Sequence, residues 1–283
     1  MRIVYFANHQ NTGSDDTEGH IAHALQKLGH EVVRVSEKNP QNIPDSADWF
    51  LFHKGGPNIQ SALTRVKYKK VCWYFDKVWN DRVFWMQQMI PRVDLMCMTD
   101  KTWADHNPSK NIRIIRQGIG DRNVGRGRKD QKFEGKIVFL GSEYGERRVW
   151  IRELTKRYGA NQFRAVNNVF NRDLYDLCET VPIIVAPEYP GDDNYWSSRI
   201  YMVLGSGGFL IHPRFEGLKE EYKDGVHYVG YRGMDEMFEK IDQYLKDEKG
   251  REKIRLAGYK KTIKDFTYTT RTEALVKELE KSL

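Results

Sequence analysis

Short apolar segments that end in polar or glycine residues recur along the first 120 residues and alternate with stretches of helical spacing. The first segment, 2–8, is followed by a polar loop, by helix-spaced residues from Ile21 to Leu28, and by a second segment at 31–35. Four more segments follow, at 48–53, 71–75, 95–99 and 112–115. Buried parallel strands have this continuous apolar pattern, so the region predicts an α/β domain with a doubly wound parallel sheet.

The same pattern begins again at 135–141, which reads G-K-I-V-F-L-G and is followed by a basic helix start at Arg147 and Arg148. Further apolar segments predict the rest of a second sheet, at 163–166, 183–186, 209–211 and 227–231. We therefore expect an N-terminal domain at 1–120, a glycine- and charge-rich linker at 121–135, a second domain at 136–265 and a last helix at 266–283.

A short helix that leads into a strand marks the second half. Residues 194–213 read NYWSSRIYMVLGSGGFLIHP, in which Ser197 and Ser198 are suited to cap a helix that Arg199 opens. A helix start with free amides, hydroxyls and an arginine favours an anion. The stretch therefore predicts a phosphate or pyrophosphate site, although an ordinary helix cap would explain the same residues without a ligand.

The letters S-x-R-x-Y-x-x-L-G-x-G-G-F-L-I, with further matches at 213, 216–218, 224–225 and 231, resemble the C-terminal half of group 1 glycosyltransferases, in particular the CgeB-like branch. The resemblance implies the GT-B fold, two Rossmann-like doubly wound domains facing a cleft, with the last helix packing back toward the first domain. It implies a hexosyltransferase that moves a sugar from a UDP or GDP sugar to a hydroxyl acceptor. That chemistry uses the nucleotide sugar as co-substrate and needs neither a cofactor nor a metal.

In that family the second domain faces the donor. The donor-binding residues that the resemblance and the predicted anion site indicate are Gly141, Ser142, Arg147, Tyr195, Trp196, Ser197, Ser198, Arg199 and Tyr201. One departure stands out, because the two glutamates of many retaining relatives correspond here to Asn194 and Met202. A methionine cannot accept the hydrogen bonds of a ribose diol as a glutamate does. Either the ribose is held otherwise, or the donor differs, or activity has been lost.

Polar residues follow the predicted strands of the first domain, at the edge where open α/β sheets bind ligands. The candidates for orienting and deprotonating the acceptor hydroxyl are Asp16, His53 and Asp76. The expected acceptor-binding residues are Asp15, Glu18, Lys54, Lys77 and Trp79. Each of them also has an ordinary structural interpretation, such as a helix cap or a solvated loop.

The basic balance of the chain, with a net charge of +7 and a pI near 9.1, favours an anionic partner. Together with the aromatic residues between Trp73 and Trp85, it favours a nucleic-acid acceptor such as a hydroxymethylated pyrimidine in DNA. A glycan or protein hydroxyl is the close alternative. A non-catalytic nucleotide-sugar-binding module and a sugar-phosphate isomerase or epimerase are the competing classes.

Several other classes are disfavoured by the sequence. The first loop lacks the G-x-G-x-x-G spacing of a dinucleotide site, which argues against NAD. The three cysteines are scattered among apolar residues, so we expect reduced core thiols and no structural metal. No apolar run is long enough to span a bilayer, and no signal-peptide pattern follows Met1, so we expect a cytoplasmic protein. The sequence leaves the oligomeric state open.

Overall fold

The computed structural model describes residues 1–8, 16–54, 58–121, 125–133, 137–143, 145–187 and 193–282. They divide into two compact units. The first unit comprises Met1–Arg122 and Thr267–Leu283, and the second comprises Asn123–Phe266.

The first unit is built on a six-stranded parallel sheet with the order β2-β1-β3-β4-β5-β6. Its strands are β1 (Arg2–Ala7), β2 (Glu31–Ser36), β3 (Trp49–Phe52), β4 (Lys69–Tyr74), β5 (Leu95–Met98) and β6 (Ile112–Ile114). Alternate residues of β1 enter two different cores, since Val4 and Phe6 lie in one apolar cluster and Ile3 and Tyr5 in the other. The sheet is therefore covered on both faces, as the continuous apolar segments predict.

Five helices complete the first unit: α1 (Thr17–Lys27), α2 (Ile59–Arg65), α3 (Asp81–Met89), α4 (Lys101–His106) and α10 (Tyr268–Glu280). The last of these comes from the end of the chain and packs on α1, where Leu275 and Leu279 share a core with Ile21 and Leu25. Phe266 separates α9 (Glu248–Asp265) from α10, and the Thr267 side chain caps α10 by accepting from the Thr270 amide.

The second unit holds a five-stranded parallel sheet with the order β11-β10-β9-β7-β8. Its strands are β7 (Ile137–Leu140), β8 (Phe163–Val166), β9 (Ile183–Val185), β10 (Leu210–Pro213) and β11 (Val229–Tyr231). Its helices are α5 (Arg147–Tyr158), α6 (Asn171–Thr180), α7 (Arg199–Gly205), α8 (Gly233–Lys246) and α9 (Glu248–Asp265).

Where the sequence predicts an exposed linker, the described segment 125–133 belongs to the second unit and runs beside α6. The Arg128 backbone amide donates to Asp176 Oδ1 at 2.7 Å, and the Asp130 amide donates to Thr180 Oγ1 at 2.9 Å. A β-carbon on Gly127 would lie 2.2 Å from the Tyr175 carbonyl oxygen, so only glycine allows this approach. The segment is thus fastened to the helix through its backbone.

Each sheet has one point where the strand order reverses, and this point decides where a ligand is expected. In the first sheet β1 continues to β2 on one side and to β3 on the other; in the second sheet β7 lies between β8 and β9. In open α/β sheets the crevice outside the carboxyl ends of such strands is the usual binding place. Ligands are therefore expected at the ends of β1 and β3 and at the ends of β7 and β9.

Candidate functional site

A glycine turn and the start of α7 meet at the carboxyl end of β7. Gly141 adopts φ +144, and its amide donates to the Val166 carbonyl at 2.9 Å. A β-carbon on Gly141 would lie only 2.7 Å from Arg199 Nη2. The same guanidinium lies 5.8 Å from the centre of the Phe139 ring. Two stretches that are distant in sequence thus place a cation against bare backbone at the point of strand reversal.

A second cation, Arg147, lies at the same edge. It is the first residue of α5 and is 8% exposed, and its Nε donates at 3.2 Å to the carbonyl of Pro187, just after β9. Arg147 therefore connects the turn after β7 with the end of β9. The exposed Ser142 completes the edge toward β8, since its hydroxyl donates to Asn167 Oδ1 at 3.4 Å.

The capping role predicted for Ser198 is wrong. Ser198 occupies the N-cap position of α7 but has helical torsions, φ −59 and ψ −14, and makes no side-chain capping bond. A capping hydroxyl needs the extended torsions that aim it at the amides of the first turn. The Ser198 hydroxyl instead donates to Met202 Sδ at 3.8 Å, and Ser197 Oγ accepts from the Arg199 amide at 3.4 Å. The helix that they open has only seven residues.

Two aromatic residues expected to contact a donor are buried in a hydrogen-bonded chain. Trp196 Nε1 donates to the Tyr201 hydroxyl at 2.8 Å, and that hydroxyl donates to Glu221 Oε2 at 2.5 Å. Trp196 is 2% exposed and Tyr201 is 1% exposed. These contacts support a structural role, so donor binding by either side chain stays a prediction, as it does for the half-buried Tyr195.

Asn194 and Met202, which stand at the positions of the paired glutamates, both contact other residues of the second unit. A β-carbon on Gly217 would lie 2.2 Å from Asn194 Oδ1, so this side chain packs directly on the backbone. Met202 Sδ accepts a hydrogen bond from the Ser198 hydroxyl. Neither contact was foreseen from the sequence. The first depends on the path of the chain after β10, and the second joins residues four apart at the start of α7.

At the reversal point of the first sheet, His53 follows β3 and both of its ring nitrogens are engaged. Its Nδ1 donates to the Trp73 carbonyl at 2.8 Å, so Nε2 of the neutral ring is the acceptor for the Tyr5 hydroxyl. Burial raises the pKa of the Tyr5 hydroxyl well above its ordinary value of 10.0, and the nearby Glu18 raises it further. Tyr5 therefore stays protonated. Its hydroxyl donates to Nε2 of His53, which is the nitrogen that would have to act as a base.

The carboxylates before and within α1 have different environments. Asp16 caps the helix, with its Oδ1 accepting from the Gly19 amide at 2.6 Å. Glu18 is half-buried, and burial raises its pKa above the ordinary value of 4.5, with Asp16 and Glu37 adding to the effect. The predicted acceptor residue Asp15 lies outside the described residues.

A compact ion cluster follows β4. Lys54 and Arg82 both contact Asp76 Oδ2, each at 3.2 Å, and Arg82 also donates to the Lys77 carbonyl at 3.2 Å. Trp79 lies in the same loop and is 37% exposed. The structure thus brings together Lys54, Asp76 and the loop of Lys77 and Trp79, all of which the sequence singles out, and adds Arg82, which contacts Asp76 and the backbone of that loop.

The described residues contain neither a cluster of metal ligands nor a membrane-spanning helix. In that part of the chain, no three histidine, cysteine, aspartate or glutamate side chains are grouped as metal ligands would be. Cys72, Cys97 and Cys178 are buried free thiols, as their scattered positions predict. None of the described helices has the length and apolar character needed to cross a bilayer.

Comparison with known proteins defines the class. The sequence profile of the glycosyl transferase-like family matches residues 126–277, which is more than half of the chain. The fold is similar to that of a sucrose-phosphate synthase from Thermosynechococcus elongatus, with a TM-score of 0.70, 11% identity, and coverage of 99% of this chain and 98% of that one.

It is also similar to HepE of Anabaena in complex with UDP-glucose, with a TM-score of 0.66, 11% identity, and coverage of 99% and 100% of the two chains. A glycosyltransferase from Rickettsia africae gives a TM-score of 0.66, 11% identity, and coverage of 99% and 98%. No curated protein sequence matches significantly.

Two parallel α/β units and this set of relatives define the GT-B class of glycosyltransferases, which confirms the fold that the sequence resemblance implies. The chain belongs to the glycosyl transferase-like family. The narrower assignment to the CgeB-like branch stays a prediction.

Proposed function

We propose that the chain transfers a sugar from a nucleoside diphosphate sugar to a hydroxyl acceptor, and that the diphosphate binds at the carboxyl ends of β7 and β9. The observation that carries the proposal is the contact of the Arg199 guanidinium with Gly141 at the point of strand reversal. Membership of the glycosyl transferase-like family supports the reaction class. Among the structural neighbours, HepE has been crystallised with UDP-glucose and with UDP, which favours a uridine nucleotide over a guanosine nucleotide here.

The leaving diphosphate gains negative charge as the glycosidic bond breaks, and a preorganised cationic environment stabilises that charge. Arg199 and Arg147 provide two guanidinium groups at one sheet edge, and the hydroxyls of Ser142 and Ser197 lie in the same two segments. Guanidinium groups can bind phosphate oxygens in pairs of parallel hydrogen bonds. We therefore propose that these residues stabilise the leaving group and that the reaction needs no metal.

On the acceptor side, the residues proposed to orient and deprotonate the hydroxyl are Asp16, His53 and Asp76. Asp76 is the best placed of the three, because its side chain is 42% exposed while Lys54 and Arg82 contact its Oδ2. Asp16 is engaged as a helix cap, and the basic nitrogen of His53 accepts from Tyr5.

For the acceptor itself we propose a hydroxyl on a modified pyrimidine of DNA. The net charge of +7 supports it, and so does the exposed Trp79, which lies in the loop between Lys77 and Arg82, since bases stack on aromatic rings in basic grooves. A glycan or protein hydroxyl is the alternative. Hydroxymethylated DNA and a panel of oligosaccharides, each incubated with protein and donor, distinguish them by which substrate gains the mass of a sugar.

A second candidate is a binding module without turnover, because Met202 contacts Ser198 where the family carries a glutamate. The deciding experiment measures release of UDP or GDP from a panel of nucleotide sugars, with and without acceptors. We expect the wild-type protein and Arg152→Ala to release nucleotide and Arg199→Ala to lose most of the activity. Arg152 is a matched control, since it is exposed on α5 and, among the described residues, forms an ion pair only with its neighbour Glu153. Thermal stabilisation by a nucleotide sugar without any release would instead identify a binding module.

A further inference from the structure

The second unit contains a cavity of about 370 Å³ outside the ends of β10 and β11. Arg214 follows β10 and Arg232 follows β11, and both line the cavity. Strands β9 and β10 lie between β11 and β7 in the sheet, so this cavity is separate from the edge where Arg199 meets Gly141.

One wall of the cavity is a network of charged groups fixed by backbone. Arg214 Nε donates to Asp224 Oδ2 at 2.6 Å, and its Nη1 lies 2.7 and 2.9 Å from the two oxygens of Glu236. Asp224 Oδ1 accepts from the Gly230 amide at 2.6 Å, and Glu236 Oε2 accepts from the Arg232 amide at 2.7 Å. The wall therefore has one defined arrangement before any ligand arrives.

Gly230 is required for this arrangement. A β-carbon at this position would lie 2.6 Å from Arg214 Cγ and 2.7 Å from Asp224 Oδ2. The absence of a side chain lets the ion pair lie directly on β11. The strand thus accommodates the charged network at a place where an ordinary strand residue would displace it.

The rim carries positive charge that other residues do not neutralise. Four basic side chains line the cavity, namely Arg214, Lys219, Lys223 and Arg232, against the two carboxylates of Glu216 and Asp224. Lys219 forms an ion pair with Glu216, and Arg214 forms one with Asp224. In the part of the chain that the structure describes, the ammonium of Lys223 and the guanidinium of Arg232 make no hydrogen bond or ion pair. These two groups are therefore available to an anion.

The remaining lining is aromatic. Phe215, Tyr222 and Tyr228 contribute to the cavity and are each at least nine-tenths buried, with exposures of 6%, 1% and 3%. The Tyr222 hydroxyl is engaged with Thr262 Oγ1 at 2.8 Å, which holds the ring in place. These buried rings form a rigid apolar floor against which the C–H groups of a sugar can pack, while carboxylates and arginines can form hydrogen bonds with its hydroxyls.

We propose that this cavity is a second ligand site that binds a phosphorylated monosaccharide. Lys223 and Arg232 bind the phosphate, and the aromatic lining contacts the sugar ring. The volume of about 370 Å³ lies in the range of small-molecule sites. The proposal does not depend on the donor site, because no residue of the cavity belongs to the edge formed by Gly141, Arg147 and Arg199.

The test is a calorimetric titration of the full-length protein with glucose 6-phosphate, inorganic phosphate and glucose. We expect glucose 6-phosphate to bind more tightly than inorganic phosphate and glucose alone to give no measurable binding. The variant Lys223→Ala/Arg232→Ala is expected to lower the affinity for glucose 6-phosphate by about tenfold or more, because it removes both charged hydrogen-bond donors.

The control variant, Lys249→Ala/Lys253→Ala, removes the same charge from exposed positions of α9 and is expected to bind like the wild type. Affinity for UDP should be unchanged in both variants, which separates this site from the proposed donor site and shows that the second unit remains folded. Equal affinity of the wild type and the Lys223/Arg232 variant would overturn the proposal. So would inorganic phosphate binding as tightly as glucose 6-phosphate.

Discussion

The guanidinium of Arg199 lies against the backbone of Gly141, with Nη2 at 2.7 Å from the place where a β-carbon would be. Gly141 ends β7, and Arg199 opens α7. The contact therefore joins two segments that both contain predicted donor-binding residues. Donor binding can therefore be tested at one pair of residues, each of which can be substituted separately.

Replacing Gly141 with alanine should weaken both ligand binding and folding. The new methyl group would displace the end of a flexible arginine, and φ +144 is unfavourable for any residue with a side chain. We expect a loss of about 1–3 kcal/mol in the free energy of unfolding and about a tenfold weaker affinity for UDP. Gly125→Ala is the control, since a β-carbon there meets nothing within 4 Å. Chemical denaturation and calorimetry measure the two effects, and unchanged UDP affinity in Gly141→Ala would count against the contact.

Replacing Tyr201 with phenylalanine distinguishes packing from ligand binding. The change removes the hydroxyl that accepts from Trp196 and donates to Glu221, so two buried polar groups lose a partner. We expect the free energy of unfolding to fall by about 1–3 kcal/mol, while UDP affinity stays within about threefold of the wild type. A large loss of UDP affinity at unchanged stability would instead show that the Tyr201 hydroxyl takes part in donor binding.

The half-buried Glu18 should make the stability of the first unit depend on pH. Burial raises its pKa above 4.5, so its ionised form is disfavoured in the folded state. Glu18→Gln should therefore raise the free energy of unfolding at about pH 8, and this gain should shrink as the pH falls and vanish below about 4.5. Urea denaturation at several pH values measures it, with Glu239→Gln on the exposed face of α8 as the control. A gain that does not change with pH would contradict the assigned cause.

The packing of α10 on α1 can be tested by opening the contact. Leu275 is fully buried in the cluster that contains Ile21 and Leu25, and its replacement by alanine should destabilise that core by about 2–5 kcal/mol. Hydrogen exchange followed by mass spectrometry should then become faster in α1 and in α10 and remain unchanged in α8. Unchanged protection of α1 would show that the last helix does not contribute to the first unit.

Most of the fold could be predicted from the sequence, because strands buried on both faces have apolar runs with few exceptions. Segments such as 95–99 and 163–166 correspond closely to β5 and β8. The cap at Thr267 was harder to foresee, since a threonine that caps a helix differs little in sequence from any other threonine.

The site was less predictable, because its contacts join distant segments. The sequence indicates that Arg199 favours an anion, but the approach to Gly141 depends on where β7 and α7 lie in the sheet. The Tyr5 hydroxyl that engages His53 is hidden in an apolar strand, where a tyrosine looks like any other core residue. The Ser198 prediction failed for a local reason, since the backbone torsions at a cap position cannot be deduced from residue type.

The most direct test of the central claim is the dissociation constant of UDP, measured by calorimetry for the wild type, Arg199→Ala and Arg152→Ala. The account predicts that Arg199→Ala weakens binding by about tenfold to a hundredfold, because a charged hydrogen-bond donor to the diphosphate is lost, and that Arg152→Ala binds like the wild type. If Arg199→Ala bound UDP as tightly as the wild type, the diphosphate would not bind at the ends of β7 and β9.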